Sequence, residues 1–339
     1  MSRVMLACVL FEGLIFVGDA IKDMPGARES RQDSKYIQGT SEIDNKILER
    51  LDEWEQREGQ LPSFTQFYRE LLEIQTEAKS RITVGKPRLT KDMVGDRLRE
   101  GIPLLLFKNF SPDWHQVQTV FEQVAVWAAK DSEDPSGESE SLKNIARQSS
   151  LLKEVVSLWY RGDSLTTIAT ARGIDDELLT SVVAAAVKPF LFAYSRLLLP
   201  EVDQELWRRR YCPVCGGKPD FAYLERERGA RWLLCSRCDA EWLFLRLECP
   251  YCGTQNQDAL AYFTDEEPYL YRLYVCEECR TYIKAIDLRR AESEVLPLER
   301  VTTLDMDKQG CEKEYLPGWG HPRRDIGKGP YARINGIGV

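Results

Sequence analysis

Apolar residues repeat at intervals of three to four positions from Ser41 to about Arg210, which is the spacing of one face of an α-helix. Glycine and proline interrupt the pattern, as at Gly59 and Pro62, and divide it into separate helices. Four of the predicted helices are defined by the apolar sets Ile43, Ile47, Leu48, Leu51 and Trp54; Phe64, Phe67, Leu71, Ile74 and Ala78; Trp114, Val117, Phe121, Val124 and Ala128; and Leu151, Val155, Leu158 and Trp159. The pattern therefore predicts a helical domain over residues 41–210.

The last helix of this domain is apolar on most of its faces. Asp175 is placed to cap its N-terminus, and the apolar run reaches Leu199 through Pro189, where we expect a kink. Because a helix that is apolar all round is buried, we predict that it is the central helix of a bundle. Earlier in the chain, Ser111 is a predicted N-cap, and the acidic, serine-rich residues 130–141 are predicted to form a flexible loop.

Beyond residue 211 the helical period gives way to short runs rich in aromatic and aliphatic residues. Such runs, separated by turn residues, are typical of β-strands joined in hairpins. The predicted strands are Asp220–Leu224, Arg231–Leu234 and Glu241–Phe244 in a first set, and Ala259–Phe263, Tyr269–Tyr274 and Thr281–Ile283 in a second. The two sets have the same order, a hairpin and then one more strand, which indicates a repeated unit.

Eight of the ten cysteines lie in four C-x-x-C pairs at the ends of these strands. Each C-x-x-C turn aims two thiolates at one point, and two turns complete the four-sulfur shell of a tetrahedral metal. The first pairs of the two units are 37 positions apart and the second pairs 41, so the unit is written twice. The repeat predicts one site from Cys212, Cys215, Cys235 and Cys238, and another from Cys249, Cys252, Cys276 and Cys279.

These patterns predict an α+β fold, in which an N-terminal all-helical domain is followed by two tandem rubredoxin-like (zinc-ribbon) metal-binding modules. Modules of this size bury too little apolar surface to fold alone, so a bound metal would act as their core. The predicted divisions are a loosely ordered N-terminal extension at 1–40, the helical domain at 41–210, the modules at 211–246 and 247–290, and a C-terminal tail at 291–339 with one short strand or helix.

The charge of the chain and its cysteines limit the possible partners and the cellular compartment. The 339-residue chain has a net charge of −8, and residues 206–290 carry 14 basic against 13 acidic side chains, so a general nucleic-acid surface is not expected. The arginines at 208–210 and at 226, 228 and 231 are interpreted as a solvated rim. Thiols at metal-binding spacing are typical of a reducing compartment, and the cytoplasm is therefore predicted. No transmembrane helix is expected, because eighteen uninterrupted apolar residues are not found.

The sequence offers little for catalysis. Its two histidines, His115 and His321, lie in a predicted helix and in the Gly/Pro-rich tail, and no nucleophile–histidine–carboxylate set can be assembled from them. A site made only of cysteines leaves no open coordination position for hydrolysis. Cys8 receives no ligand role, and Cys311 with His321 is a poor half-site. We therefore predict a binding or maturation protein and not an enzyme.

Longer motifs surround the cysteines: CPVCGGKP at 212–219, CSRCDAEW at 235–242, CPYCG at 249–253 and CEECRTYIK at 276–284. With the stretch GIPLL at 101–105 and FSPD at 110–113, they make the chain resemble the formate dehydrogenase accessory protein FdhE family over about residues 60–290. A helical domain running into two rubredoxin-like modules is the architecture of that family.

The resemblance implies a cytoplasmic factor that is needed to produce active formate dehydrogenase, a molybdenum or tungsten enzyme. Members of the family are thought to contact the catalytic subunit of that enzyme before its export and to hold iron in their tetrathiolate sites. Carried over to this chain, metal ligation falls on the eight cysteines of the C-x-x-C pairs. Zinc suits the same ligands, so the expected cofactors are two tetrathiolate-bound ions of iron or zinc.

Two other functions are compatible with the sequence. A zinc-ribbon protein that binds nucleic acid is one, and the arginine clusters are its support. A rubredoxin-type electron carrier is the other, and it requires reversible one-electron chemistry at bound iron.

Overall fold

The computed structural model of the chain describes residues 36–38, 42–61, 63–130, 135–264, 269–290 and 296–319. The helices are α1 (Glu42–Glu58), α2 (Ser63–Arg81), α3 (Lys91–Glu100), α4 (Trp114–Ala128), α5 (Pro135–Arg147), α6 (Ser149–Arg161), α7 (Thr166–Ala171), α8 (Asp176–Leu198), α9 (Leu296–Thr302) and α10 (Leu304–Glu312). The strands are β1 (Tyr36–Gln38), β2 (Thr83–Gly85), β3 (Pro219–Leu224), β4 (Arg231–Cys235), β5 (Glu241–Phe244), β6 (Leu260–Thr264), β7 (Tyr271–Cys276), β8 (Thr281–Asp287) and β9 (Leu316–Pro317).

Helix α8 is the centre of the N-terminal half, as its composition predicts. It packs against α2, α4 and α6, and Val182, Val187 and Leu191 are completely buried along it. The Asp175 carboxylate accepts a hydrogen bond from the Leu178 N–H at 2.9 Å and caps the helix as expected. The helix continues through Pro189.

Two local predictions about helix starts are wrong. The N-cap of α4 is Asp113, whose carboxylate accepts from the N–H groups of His115 and Gln116, and not Ser111. Helix α5 begins at Pro135, inside the segment predicted to be a loop. Proline at the first helical position and Glu138 in the first turn both favour a helix start, and they outweigh the loop-like composition of the segment.

The N-terminal half is not wholly helical. Strand β1 pairs antiparallel with β2, with Ile37 opposite Val84, and forms a small two-stranded sheet. Val84 is buried in the main core. Cys8 and most of the predicted N-terminal extension lie outside the described residues.

The predicted hairpins form as expected, since β3 pairs antiparallel with β4 and β6 with β7. Strands β5 and β8 extend the two hairpins. A parallel pairing of β3 with β8, with Phe221 opposite Lys284, then joins both sets in a single sheet of order β5-β4-β3-β8-β7-β6. The two units therefore form one continuous sheet and are not two separate modules.

The C-terminal segment carries more structure than the single element predicted. Helices α9 and α10 pack on the sheet, and β9 pairs parallel with β8. Leu298 on α9 contacts the apolar cluster of α1 that contains Ile47 and Leu51. The segment thereby links the sheet to the first helix, while residues 320–339, with His321, lie outside the described residues.

One apolar stretch, Asp176–Glu201, has the length and composition of a membrane span within the described residues. However, 72% of its most apolar window is buried inside the protein. This burial is what a core helix requires, in agreement with its central position.

Candidate metal centres

The four C-x-x-C turns share one backbone conformation. In each turn the residue after the second cysteine is in the left-handed region, with φ of 73° at Gly216, 53° at Asp239, 82° at Gly253 and 53° at Arg280. Its N–H donates to the carbonyl of the first cysteine of the turn at 2.9 to 3.2 Å. Because this conformation costs little for glycine and more for a side chain, it accounts for glycine after the first turn of each unit.

Backbone N–H groups also point at the sulfurs. The N–H of Val214 lies 3.3 Å from the Cys212 sulfur, and that of Tyr251 lies 3.4 Å from the Cys249 sulfur. Donors held in this way stabilise thiolate charge and fix the direction of each sulfur. The turns therefore fix the direction of their sulfurs before any ion is considered.

The structure brings the eight sulfurs together in the two predicted groups. The first cluster contains Cys212, Cys215, Cys235 and Cys238, and the second contains Cys249, Cys252, Cys276 and Cys279. Within each cluster all four sulfurs lie within 4.8 Å of one another. Among the residues that the structure describes, these two are the groups of His, Cys, Asp or Glu side chains close enough to hold a metal ion.

In both clusters the same sulfurs of the two turns are neighbours. The first sulfur of the first turn lies beside the second sulfur of the other turn, at 3.6 Å for Cys212–Cys238 and 3.7 Å for Cys249–Cys279. A second cross-turn distance in each cluster is 3.5 Å for Cys215–Cys235 and 3.6 Å for Cys252–Cys276. A tetrahedral ion with metal–sulfur bonds of about 2.3 Å has sulfur–sulfur edges of about 3.8 Å. These edges fit a four-coordinate metal and are much too long for disulfides of about 2.05 Å.

Ionisation in the first cluster also fits a bound cation. Burial raises the pKa of the Cys212 and Cys238 thiols well above their ordinary value. Burial acts on Cys215 as well, but hydrogen bonds from the neighbouring thiols outweigh it and hold the pKa of Cys215 well below its ordinary value. Ionisation of one thiol in this cluster thus opposes ionisation of its neighbours. A divalent cation is what would let all four sulfurs ionise together.

The second cluster behaves in the same way. Hydrogen bonds from the thiols of Cys276 and Cys279 lower the pKa of Cys249 to about 2, whereas burial raises the pKa of Cys252 to about 12. The hydroxyl of Thr281 lies 2.9 Å from the Cys279 sulfur and can donate to its thiolate. The soft donors, their number and their spacing together fit Zn²⁺ or Fe²⁺.

The first cluster lies in the main hydrophobic core of the protein. All four of its cysteines are completely buried and belong to the same apolar cluster as the helical core. The N–H groups of Leu104 and Leu105 donate to the carbonyls of Pro213 and Val214 at 2.8 and 2.9 Å. The segment before the Phe107–Asn109 turn therefore bonds directly to the first C-x-x-C turn.

The second turn of the first cluster is held by α6 and α8. The guanidinium of Arg237 donates to the carbonyls of Tyr160 and Trp159 at 2.9 and 3.2 Å, at the C-terminal end of α6, where the helix dipole favours a cation. Lys188 on α8 forms an ion pair with Asp239 at 2.8 Å. This cluster thus fastens the helices to the sheet.

The second cluster lies near the surface. Cys249 and Cys276 are buried, whereas Cys252 and Cys279 are half-buried. Beside it is a cavity of about 30 Å³, whose lining includes Cys249, Cys276 and Arg231. Arg231 is 3% exposed, its guanidinium donates to the carbonyls of Leu245 and Glu248, and burial lowers its pKa to about 10. The long side chain of this arginine joins the first unit to the linker that precedes the second cluster.

The remaining candidates do not gather into a site. His115 is exposed at the start of α4, beside a hollow of about 250 Å³ between α2, α4 and α8. Cys311 lies on α10, outside both clusters.

The sequence predicted the four clustered C-x-x-C turns but not the side chains that support them. Asp239, Arg237 and Arg231 are separated in sequence from the groups they contact, and a single sequence does not reveal such pairs. The left-handed residue that follows each turn can be recognised from the sequence only where it is glycine, at Gly216 and Gly253.

Comparisons with known proteins find similarity to FdhE proteins. A family model described as "FdhE, central domain" matches residues 211–246, which contain the first cluster. A protein FdhE homolog of Aquifex aeolicus is 33% identical over 156 residues, 45% of this chain and 54% of that protein. A homolog from Stutzerimonas stutzeri is 32% identical over 158 residues, covering 44% of this chain and 50% of its own length. This chain thus spans about half the length of these curated relatives.

A solved structure shows the fold over a longer stretch. The crystal structure of the FdhE protein from Pseudomonas aeruginosa aligns with a TM-score of 0.55 and 18% identity, over 84% of this chain and 98% of that one. The resemblance to the FdhE family is confirmed by these matches together.

Proposed function

Since this chain is related to the FdhE proteins, we propose that it is an accessory protein that binds the catalytic subunit of formate dehydrogenase and is needed for an active enzyme. In this proposal it acts in the cytoplasm and catalyses no reaction itself. The single observation that carries the proposal is the presence of two four-cysteine clusters on an FdhE-like fold.

Each cluster of four cysteines would hold one metal ion. Bound iron would supply one-electron chemistry, and bound zinc would supply structural rigidity alone. The roles of the protein's own groups follow from their contacts. N–H groups such as that of Val214 fix the direction of the sulfurs, and Arg237 and Lys188 fix the first cluster against the helices.

A rigid junction suits a recognition protein. The helices and the sheet meet at the first cluster, so an ion there would fix their relative position and present one preformed surface to the partner. Preformed surfaces bind with a smaller ordering cost than flexible ones. The metal in this scheme acts on shape and not on a substrate.

The nucleic-acid alternative is weakened because the three arginines at 208–210 are engaged in contacts within the protein. Arg208 pairs with Glu205, Arg209 donates to the carbonyl of Arg99, and Arg210 donates to the carbonyl of Tyr251. Side chains engaged within the protein are poorly placed to contact phosphates. A steep salt dependence of RNA or DNA binding would restore this alternative.

An electron carrier is the second candidate function, and the half-buried sulfurs of Cys252 and Cys279 favour it. Electrons transfer readily only to centres near a surface, and the second cluster meets that condition. Reversible one-electron oxidation of bound iron would support this candidate. A protein that carries only zinc in its native host would exclude it.

The test is anaerobic purification from the native host, with metal analysis and identification of co-purifying proteins. We expect two metal equivalents per chain, one for each cluster, and the formate dehydrogenase catalytic subunit among the captured proteins. Cys276→Ser should lower the metal content, whereas Cys311→Ser, outside both clusters, should not. Capture of nucleic acid without the enzyme subunit would contradict the proposal.

A further inference from the structure

The two clusters have the same internal geometry but opposite surroundings. Every sulfur-bearing residue of the first cluster is completely buried in the main core. In the second cluster, Cys252 and Cys279 are half-buried and reach the surface. A chelator or an incoming ion can therefore approach one cluster directly but not the other.

We propose that the two centres divide their tasks, so that the second centre exchanges its metal with solution while the first retains it as a permanent joint. This inference rests on the metal binding in the proposed function. The exchange edge is the side of the second cluster formed by Cys252 and Cys279. An ion leaves there to an external chelator, and the thiolates take up protons in its place.

The contacts of the first cluster explain why its ion is retained. To expose these sulfurs, the bonds from Leu104 and Leu105 to the first turn must break, together with the bond from Ser195 to the carbonyl of Cys238. The ion pair of Lys188 with Asp239 must separate as well. Opening this cluster thus requires the helices to leave the sheet, which is close to global unfolding.

The second cluster can open locally. Its first turn is followed by exposed residues, among them Asn256 and Gln257, and its second turn carries the exposed side chains of Glu277 and Glu278. The hydrogen bond of Thr254 to Glu278, which links the two turns, is on the surface. Local opening with few buried contacts has a low free-energy cost, so exchange there does not require the core to unfold.

The test is metal release from the full-length protein loaded with Zn²⁺, followed with a chromogenic chelator, while pulsed alkylation and mass spectrometry identify the freed cysteines. We expect two kinetic phases of one equivalent each, the faster by at least about tenfold because it needs only local opening. Cys249, Cys252, Cys276 and Cys279 should be alkylated in the fast phase, and the other four in the slow phase.

Two variants sharpen the result. Cys252→Ser should abolish the fast phase and leave the slow one unchanged, whereas Cys311→Ser should keep both phases. Release of both equivalents at one rate, or alkylation of Cys215 before Cys252, would overturn the inference but leave metal binding intact. A chain that retains fewer than two equivalents after loading would overturn the metal sites and this inference together.

Discussion

The hydroxyl of Ser195 donates a hydrogen bond to the carbonyl oxygen of Cys238 at 2.8 Å. Ser195 lies on the central helix α8, and Cys238 belongs to the first cluster, so the core helix is bonded directly to a C-x-x-C turn. The same hydroxyl lies 2.9 Å from the Phe192 carbonyl within the helix. One buried side chain thereby connects the apolar core with the candidate metal centre.

Ser195→Ala should destabilise the protein, because the Cys238 carbonyl would lose this donor in a buried position. We expect a decrease of about 1–3 kcal/mol in the free energy of unfolding, measured by urea denaturation. Ser80→Ala is the matched control, since the Ser80 hydroxyl also donates to a carbonyl three residues earlier, that of Glu77, but on the surface. An equal effect of the two substitutions would show that the bond across the junction has no special weight.

Arg300→Met should be among the most damaging substitutions of a charged residue. The Arg300 guanidinium lies between Asp220 and Asp239, at 3.2 and 3.0 Å, in a nearly buried position. Without it, Asp220 loses its cation and Asp239 keeps Lys188 alone. A buried carboxylate left unpaired costs about 3–5 kcal/mol, to be measured by chemical denaturation.

The control for this substitution is Arg57→Met, because Arg57 forms an exposed ion pair with Glu58. An exposed pair contributes about 0–1 kcal/mol, so this variant should unfold nearly as the wild type does. If Arg300→Met proved equally mild, the link between α9 and the first cluster would not be a source of stability.

Asp287 predicts a pH dependence. Burial alone would raise the pKa of this carboxyl, but hydrogen bonds from Arg289 and the charge of Arg272 outweigh it, so its pKa lies below the ordinary value. A depressed pKa in the folded state contributes stability that is complete above the unfolded-state pKa of about 3.9 and is lost as pH falls through the folded-state value. Acidification below about pH 4 should therefore weaken the sheet.

Asp287→Asn isolates this contribution. The difference in unfolding free energy between wild type and variant should be largest at neutral pH, about 3 kcal/mol for a buried pair, and should shrink in acid. Asp163→Asn, which affects only the exposed pair with Arg161, should show almost no difference at either pH. A difference for Asp287→Asn that is constant with pH would contradict the assignment.

Thr281→Val should weaken metal retention at the second cluster. The Thr281 hydroxyl is 2.9 Å from the Cys279 sulfur, and valine keeps the shape of the side chain while removing the donor. We expect metal release from this cluster to be about tenfold faster, as for the loss of a group that supports a ligand. Release from the first cluster, where Ala240 occupies the equivalent place, should not change and serves as the internal control.

Gly318→Ala should disturb the C-terminal segment. A Cβ atom on Gly318 would overlap the ring of Tyr251, which belongs to a C-x-x-C turn, so the segment or the ring must move. Overpacking of this kind costs about 1–3 kcal/mol, and limited proteolysis after residue 312 should become faster. Gly95→Ala is the control, because its Cβ would meet only the flexible end of Arg99 at 3.4 Å, within helix α3. That variant should gain about 0.5–1 kcal/mol.

The sequence alone determined the longer helices of the N-terminal half, the hairpins and the grouping of the cysteines. Each of these depends on residues that are near in the chain: the period of apolar positions gives α8, and the C-x-x-C spacing gives the two sulfur sets. Helix α5 is the informative failure, because a composition typical of loops concealed a helix start at Pro135.

Only the tertiary structure decided how these parts combine. The parallel pairing of β3 with β8, the burial of the first cluster and the exposure of the second depend on contacts between residues far apart in the chain. The two units have the same order of cysteine pairs and strands, so local signals assign them equal roles. Their difference arises because one unit faces the helical core through Lys188, Ser195 and Arg237, and the other faces water.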